Sequence, residues 1–310
     1  MYKGRAMCRK IRKAALILFS LLLVLVIALS SFHHIMLRFE KDNLSPPGGL
    51  YSINGHQMHL YTQGTQNSAA TIVFLSGCGT AAPVYDFKVL YTKLSSDYRI
   101  AVVERSGYGY SEISGAPRDI ATAVDESRSL LAAAGEKGPY ILMAHSISGL
   151  EALYWAQEYP DEIKAIIGLD MSVPQADIPY SPIVRPLLKT AAFLGLQRIA
   201  FLYPVDYVGL TDDEMQQAKY LTYKNAFNAD VAAEMSQTQQ SIQAIRLDAL
   251  RRLPILDFVS DDEQSQKEHK AFSKTAQVES VQLNTGHYVH HFESGQIAAK
   301  SLAFLRKIGC

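Results

Sequence analysis

Cysteine is scarce in this chain, since only Cys8, Cys78 and Cys310 occur among its 310 residues. Three cysteines cannot build a disulfide framework, and no CxxC pair suggests a metal site. An excess of charge of one sign is also lacking, because 30 Lys and Arg balance 30 Asp and Glu. This balance excludes the basic footprint of a nucleic-acid-binding protein. Its 19 Gly and 12 Pro are too few for a collagen-like or proline-rich filament.

Apolar residues are abundant by contrast. Hydrophobic residues make up 48% of the chain and charged residues 19%, so the chain can bury a core and is not globally disordered. A length of 310 residues predicts about two domains, or one large α/β domain with an insertion.

The N-terminus has the pattern of a membrane anchor. Residues 1–13 form a basic flank with six Lys or Arg and no acid, and residues 14–32 form an uncharged apolar run. A helix of roughly 19 residues rises about 28 Å, which matches the hydrocarbon thickness of a bilayer. We expect a single transmembrane helix over 14–32, with the basic flank in the cytoplasm and the C-terminal bulk of the chain outside it. The alternative is a signal peptide cleaved near Ala28–Ser30, which would give a secreted protein.

The rest of the chain predicts an α/β fold interrupted by a helical segment. Residues 33–49 are polar and end in Pro-Pro-Gly-Gly, which indicates a linker. Buried-type strands then alternate with helices over 50–173 and return over 254–310, a pattern typical of a mostly parallel sheet covered on both faces. Residues 174–253 have helical periodicity and no convincing strand, so we expect a helical cap over the strand ends.

The most informative short motif is Ala-His-Ser-Ile-Ser-Gly at 144–149, between the apolar run at 140–144 and a predicted helix. A serine on a sharp strand-to-helix turn needs small residues two positions before and after it. Ala144 and Ser148 meet this requirement around Ser146. The start of a helix behind Ser146 would also favour negative charge near its hydroxyl.

Four segments together carry a resemblance to a known family. They are LSGCG at 75–79, ERSGYGYSE at 104–112, AHSISG at 144–149 and TGHYVHH at 285–291. Their order and spacing resemble the α/β-hydrolase superfamily, in particular capped serine hydrolases of the esterase and lipase kind, from about residue 50 to 305. The resemblance implies a mostly parallel eight-stranded sheet with the site at the C-terminal ends of the strands.

The resemblance also implies a catalytic triad. A serine hydroxyl needs an adjacent base, and His287 follows the last predicted strand, where relatives carry that base. The acid is expected in the loop after the strand over 254–260, where Asp261, Asp262 and Glu263 stand in a row. Asp262 is the first candidate and Glu263 the second. Asp170, which ends the predicted strand over 163–169, is a third option because a minority of relatives place the acid there.

Backbone N–H groups of Ile147 and Cys78 are the expected donors to an oxyanion, by the same resemblance. A redox role is not implied for Cys78, whose side chain can be a small buried apolar group. Acyl transfer by such a triad needs no metal and no cofactor, and the sequence shows no cluster of ligands for one.

The sequence therefore predicts a serine hydrolase that cleaves carboxylic esters through an acyl-enzyme on Ser146, with His287 as general base. The expected partner is a small apolar acyl or ester substrate, with membrane contact through the N-terminal helix and no nucleic acid. Two alternatives stay open, namely an acyltransferase with the same triad and a non-catalytic binding member of the fold. A serine at this position argues against the dehalogenase and epoxide-hydrolase branches of the superfamily, which use aspartate.

Overall fold

A computed structural model of the chain describes residues 2–66, 68–176, 178, 183–202 and 205–310, with side chains from residue 7 onward. Eight strands form one sheet in the order β1-β2-β4-β3-β5-β6-β7-β8. The strands are β1 (Gly49–Ile53), β2 (His56–Gly64), β3 (Thr71–Leu75), β4 (Arg99–Glu104), β5 (Tyr140–His145), β6 (Ile163–Leu169), β7 (Ile255–Val259) and β8 (Val278–Gln282).

The sheet is mixed at one edge and parallel elsewhere. β2 pairs antiparallel with both β1 and β4, and every pairing from β4 across to β8 is parallel. Asn54 and Gly55 turn β1 into β2 with φ of 50° and 87°, as a tight two-residue hairpin requires. The predicted eight-stranded, mostly parallel α/β fold is therefore confirmed.

Helices cover both faces of the sheet, and each face has its own apolar core. The helices are α1 (Tyr2–Lys41), α2 (Pro83–Asp86), α3 (Lys88–Leu94), α4 (Ile120–Ala133), α5 (Ser148–Glu158), α6 (Val184–Phe193), α7 (Asp212–Asn225), α8 (Ala229–Gln243), α9 (Glu263–Phe272), α10 (Val289–Phe292) and α11 (Ser294–Lys307). Along β3, Val73 and Leu75 pack toward α4 and α5, while Ile72 and Phe74 pack toward α3 and α11. This alternation follows from the two-residue period of a strand.

The described part of the segment between β6 and β7 contains helices and no strand, as the sequence predicts. It contributes α6, α7 and α8 together with two short 3₁₀ turns, Leu196–Arg198 and Leu247–Leu250. We call α6, α7 and α8 the inserted helices. The domain boundaries at residues 174 and 253 stay predictions.

The N-terminal helix α1 is longer than the apolar run alone predicts. Its 40 residues rise about 60 Å. The part over Met7–Lys41 has a mean hydropathy of 2.8 in its most apolar window, none of which is buried. The helix is thus long and apolar enough to cross a membrane by length and composition, and whether it does so stays a prediction.

The expectation of a linker over 33–49 is wrong for its first nine residues, because α1 continues to Lys41. One face of this extension packs on the inserted helices. Arg198 donates two hydrogen bonds to the carboxylate of Glu40, at 2.6 and 2.7 Å, and its Nε donates to Nδ1 of His33 at 2.9 Å. The Arg198 guanidinium also lies 4.2 Å from the centre of the Tyr223 ring on α7. Polar residues that look like a linker in sequence are therefore partners in a tertiary contact.

Replacing Arg198 with methionine should lower the free energy of unfolding by about 2–3 kcal/mol, because it leaves the buried Glu40 carboxylate without its partner. Urea unfolding of the full chain in detergent measures the change. Arg246→Met is the matched control, since Arg246 pairs with Glu158 in solvent and should contribute less than about 1 kcal/mol. Equal losses for the two variants would show that the contact between α1 and the inserted helices adds nothing.

Candidate active site

Ser146 lies on a sharp turn between β5 and α5. Its φ of 56° is in the left-handed region, which non-glycine residues rarely adopt without support from their surroundings. The support comes from its own carbonyl, which accepts hydrogen bonds from the N–H groups of Gly149 at 2.9 Å and Ser172 at 2.6 Å. The hydroxyl of Ser148 donates to the carbonyl of Leu75 at 2.7 Å and so ties α5 to the end of β3.

Two positions close to this turn have room only for glycine. A Cβ at Gly77 would lie 3.0 Å from Cβ of Ser146, and a Cβ at Gly149 would lie 2.5 Å from the carbonyl oxygen of Ser172. The predicted need for small residues around Ser146 thus extends to the loop after β3. The strained turn leaves no room for a larger residue at either position.

His287 is held by Asp170. Nδ1 of His287 and Oδ2 of Asp170 are 2.6 Å apart. Asp170 follows β6 and is buried, whereas the His287 side chain, in the loop after β8, is 48% exposed. An ionised carboxylate only accepts hydrogen bonds, so Nδ1 of His287 donates to Asp170, and in the neutral imidazole Nε2 is then the nitrogen that carries the lone pair. His287 therefore has the tautomer that a general base needs.

Asp170 is ionised because several groups donate hydrogen bonds to its carboxylate. Its Oδ1 accepts hydrogen bonds from the N–H of Ser260 at 2.9 Å and from the hydroxyl of Ser265 at 2.8 Å. Burial on its own would raise the pKa of Asp170, but the hydrogen bonds from His287, Ser260 and Ser265 outweigh it and lower the pKa to about 2. The side chain is fixed in both charge and position.

The structure corrects the expectation for the acid. Oδ1 of Asp262 accepts a hydrogen bond from the N–H of Ser265 at 2.8 Å and caps the start of α9. Glu263 is the first residue of that helix and lies 3.7 Å from Lys267 in solvent, and Asp261 is exposed. Aspartate is a preferred N-cap residue, and Asp262 directly precedes the first residue of α9.

The position of Asp170 in the sequence also pointed to the edge of the sheet where Ser146 lies. It follows directly on a buried strand next to β5, and the carboxyl ends of parallel strands meet at one edge of a sheet. What the sequence could not supply is the path of the β8 loop, which decides which acid His287 meets.

A buried cluster of imidazoles lies behind His287. The His145 ring centre is 4.7 Å from those of both His287 and His290, and its Nε2 is 3.2 Å from the carbonyl oxygen of His287. Asp86 accepts from Nε2 of His290 at 3.0 Å and from Nε2 of His291 at 2.9 Å. Burial lowers the pKa of both His145 and His290, so His145 stays neutral beside the site. His290 and His291 thus fix the loop of His287 rather than replace it.

Three ligand atoms in this cluster could approach one metal ion. Within the described residues, Asp86, His145 and His290 are the group whose ligand atoms all lie within 4.8 Å of one another. Both carboxylate oxygens of Asp86 already accept a hydrogen bond from an imidazole. The arrangement is that of a hydrogen-bonded network that stiffens the site.

Ser146 opens into a cavity of about 410 Å³. The two residues predicted to donate to an oxyanion, Cys78 and Ile147, line it. Met235 and Gln239 of α8 line it as well. The inserted helices therefore complete the cavity, as a cap would, and the predicted donors lie beside Ser146.

Buried charges brace the loop that contains Cys78. The N–H of Gly79 donates to the Tyr108 hydroxyl at 3.1 Å, and that hydroxyl donates to Glu234 of α8 at 2.9 Å. Arg105 pairs with Glu234 at 3.1 Å and with Glu151 of α5 at 2.8 Å. One set of contacts thus joins the loop after β3, the helix behind Ser146 and the inserted helices.

Comparison with known proteins agrees with this architecture. The sequence profile of the alpha/beta hydrolase family matches residues 72–300. The chain belongs to the alpha/beta hydrolase family. The YbdG protein of Bacillus subtilis (strain 168) is 39% identical to it over 311 residues, which cover 92% of this chain and 94% of YbdG.

Solved structures of hydrolases share the fold. A putative lipase from Acinetobacter baumannii superposes with a TM-score of 0.67 at 15% identity, covering 89% of this chain and 96% of the lipase. A haloalkane dehalogenase variant from Bradyrhizobium elkanii gives a TM-score of 0.66 at 15% identity, covering 84% and 96%. Identities this low establish the alpha/beta hydrolase fold and leave the bond that is cleaved open.

The Cys78 thiol should be unreactive despite its place beside Ser146. Burial, with a contribution from the negative charge of Glu234, raises its pKa to about 12, so only about one thiol in 10⁴ is ionised at pH 8. Mass spectrometry after iodoacetamide treatment should show Cys310 alkylated well before Cys78. Alkylation of Cys78 should quicken about tenfold per pH unit between pH 8 and 10, because the thiolate fraction does so below the pKa. Equal labelling of Cys78 and Cys310 at pH 8 would contradict this account.

Proposed function

We propose that this alpha/beta hydrolase is a serine hydrolase that cleaves carboxylic esters through an acyl-enzyme on Ser146. The observation that carries the proposal is the pairing of His287 with a buried, ionised Asp170, at the sheet edge where the left-handed turn presents Ser146. A neutral imidazole with its Nδ1 proton engaged is the base that a serine hydroxyl needs.

The reaction follows from these groups. Nε2 of His287 takes the proton of Ser146 as Oγ attacks the ester carbonyl carbon, and Asp170 stabilises the imidazolium that forms. The N–H groups of Ile147 and Cys78 donate to the oxyanion of the tetrahedral intermediate. The imidazolium then protonates the leaving alkoxide, and the acyl group stays on Ser146. Water, deprotonated by His287, releases the carboxylic acid and restores the hydroxyl.

Serine favours acyl chemistry over the chemistry of the dehalogenase neighbour. Displacement of a halide by a serine hydroxyl would leave an alkyl ether, which water does not cleave under these conditions. Attack on an ester carbonyl instead leaves an acyl-enzyme that water can hydrolyse. The cavity of about 410 Å³, with Ile178 and Met235 in its wall, fits an apolar acyl group of modest size.

The proposal for location is a single-pass membrane protein whose catalytic domain lies outside the cytoplasm. It is supported by the exposed apolar run within α1 and by the six cations that precede that run. Intact mass of the protein recovered from membranes separates this from a secreted form, because cleavage near Ser30 would remove about 30 residues.

Ser146→Ala should abolish covalent labelling by a fluorophosphonate probe, since the probe phosphonylates the activated serine hydroxyl. Gel fluorescence of the purified full chain measures the labelling. Ser148→Ala is the control, because its hydroxyl is buried in hydrogen bonds to Leu75 and His145, and it should still be labelled. Absence of labelling in the folded wild-type protein would refute the proposed function.

Asp170→Asn should slow ester hydrolysis by about 10³-fold or more, because an amide no longer fixes the tautomer of His287 or balances the imidazolium charge. Asp262→Asn should leave the rate within about twofold, since asparagine caps a helix as well as aspartate does. Steady-state kinetics on a soluble p-nitrophenyl ester compare the two. A large loss for Asp262→Asn with little for Asp170→Asn would reassign the acid.

A further inference from the structure

The segment over 183–202, which contains α6 and the 3₁₀ turn after it, exposes an unusual amount of apolar surface. Of the eleven large apolar side chains that are exposed outside α1 in the described residues, six lie within 183–202. We call these six the apolar patch: Ile183, Val184, Leu187, Phe193, Phe201 and Leu202. Phe201 is 84% exposed and Ile183 is 71% exposed. No residue of α6 is buried. A helix this apolar and this exposed needs another surface to cover it.

The apolar patch contacts α1 through Phe193, next to Ser30 and His34. The hydroxyl of Ser30 donates to the carbonyl of Phe193 at 3.4 Å, and the rings of His34 and Phe193 are 5.0 Å apart. A Cβ at Gly195 would lie 2.6 Å from Cβ of His33. The end of α6 is therefore packed against α1 at residues 30–34.

This contact coincides with the end of the apolar run. If α1 crosses a bilayer over 14–32, Ser30 lies in the last turn of the span, about 3 Å from its end. The C-terminal end of α6 then lies at the boundary between acyl chains and headgroups, where amphipathic helices bury an apolar face by about 5–10 Å. Arg185 and Lys189 on the same helix supply the cations that anionic headgroups attract.

The apolar patch is also close to the catalytic cavity along the chain. Ile178, which lines the cavity of Ser146, is five residues from Ile183. Five residues span at most about 18 Å. A molecule that leaves the bilayer at the apolar patch therefore has a short route to the serine.

We propose that the apolar patch is seated in the bilayer that α1 crosses, and that the site takes its substrate from that membrane. The substrate class is then a lipid ester, whose acyl chain reaches Ser146 beneath the inserted helices. The occupant of the patch is lipid rather than a second copy of the chain, because the exposed apolar surface of the patch continues that of α1 at the contact of Ser30 and Phe193. The substrate class rests on the proposed hydrolase function, whereas the seating of the patch does not.

Tryptophan fluorescence tests the seating directly. The chain has one tryptophan, Trp155, which is fully buried, so Phe201→Trp adds a reporter in the apolar patch and Ala303→Trp adds a control on the exposed side of α11. Each full-length variant is placed in nanodiscs that hold one chain, made with lipids brominated near the headgroup end of the acyl chain. The added emission of Phe201→Trp should be quenched at least about twofold more than that of Ala303→Trp. Equal quenching would overturn the seating, and so would a blue-shifted Phe201→Trp emission that bromine does not quench, because protein would then cover the patch.

Two substrates test the substrate class. The double variant Leu187→Asp/Phe201→Asp in the same discs should hydrolyse an embedded diacylglycerol about tenfold more slowly than wild type, with the rate on soluble p-nitrophenyl acetate unchanged. Ile113→Asp, at an exposed apolar residue outside the inserted helices, should change neither rate. No loss on the lipid, or an equal loss on both substrates, would overturn the assignment.

Failure of the two proposals can be told apart. If wild-type Ser146 is not labelled by fluorophosphonate, the hydrolase function fails, yet the quenching experiment still reports the seating of the apolar patch. If Ser146 is labelled and Phe201→Trp is not quenched, the hydrolase stands and the membrane-seated patch is wrong.

Discussion

The left-handed backbone of Ser146 is the constraint on which the site depends. A non-glycine residue keeps φ near 56° only when its neighbours fix it, and here two N–H groups hold its carbonyl while glycines at 77 and 149 leave room for the turn. The Ser146 carbonyl accepts one of these hydrogen bonds from Ser172, which is two residues after Asp170 in the chain. The turn that contains Ser146 and the segment that contains Asp170 are therefore one hydrogen-bonded unit.

The order of the strands explains how three distant segments reach that unit. Three neighbouring strands, β5, β6 and β7, run in parallel. The residues that follow their carboxyl ends, Ser146, Asp170 and Ser260, therefore lie at one edge of the sheet. Ser260 and Ser265 then donate to one oxygen of Asp170 and leave the other for His287. The loop after β7, where the sequence predicts the acid, instead contributes the donors that keep Asp170 ionised.

Local patterns predicted most of this architecture. The eight strands, the serine turn and the late histidine could be predicted because each has a signature within a few residues. The sequence ranked Asp262 ahead of Asp170 as the partner of His287, since both follow a strand and only the tertiary path of the His287 loop decides between them. The helical extension beyond residue 32 was missed for a similar reason. Its polar residues His33 and Glu40 look solvated in sequence, and their partner Arg198 lies more than 150 residues away.

Contacts of the segment between β6 and β7 connect α1 to the loop of Cys78 beside Ser146. Arg198, in the 3₁₀ turn between α6 and α7, binds Glu40 of α1. Glu234 of α8 binds Arg105 and, through Tyr108, the loop of Cys78. A shift of α8 that opened the cavity would have to break the buried pair of Arg105 and Glu234, or carry Arg105, Tyr108 and the loop of Cys78 with it. Breaking a buried charge pair is costly, so coupled movement of α8 and this loop is favoured. The cavity and the donors beside Ser146 would then change together, which ties access to the site to its catalytic geometry.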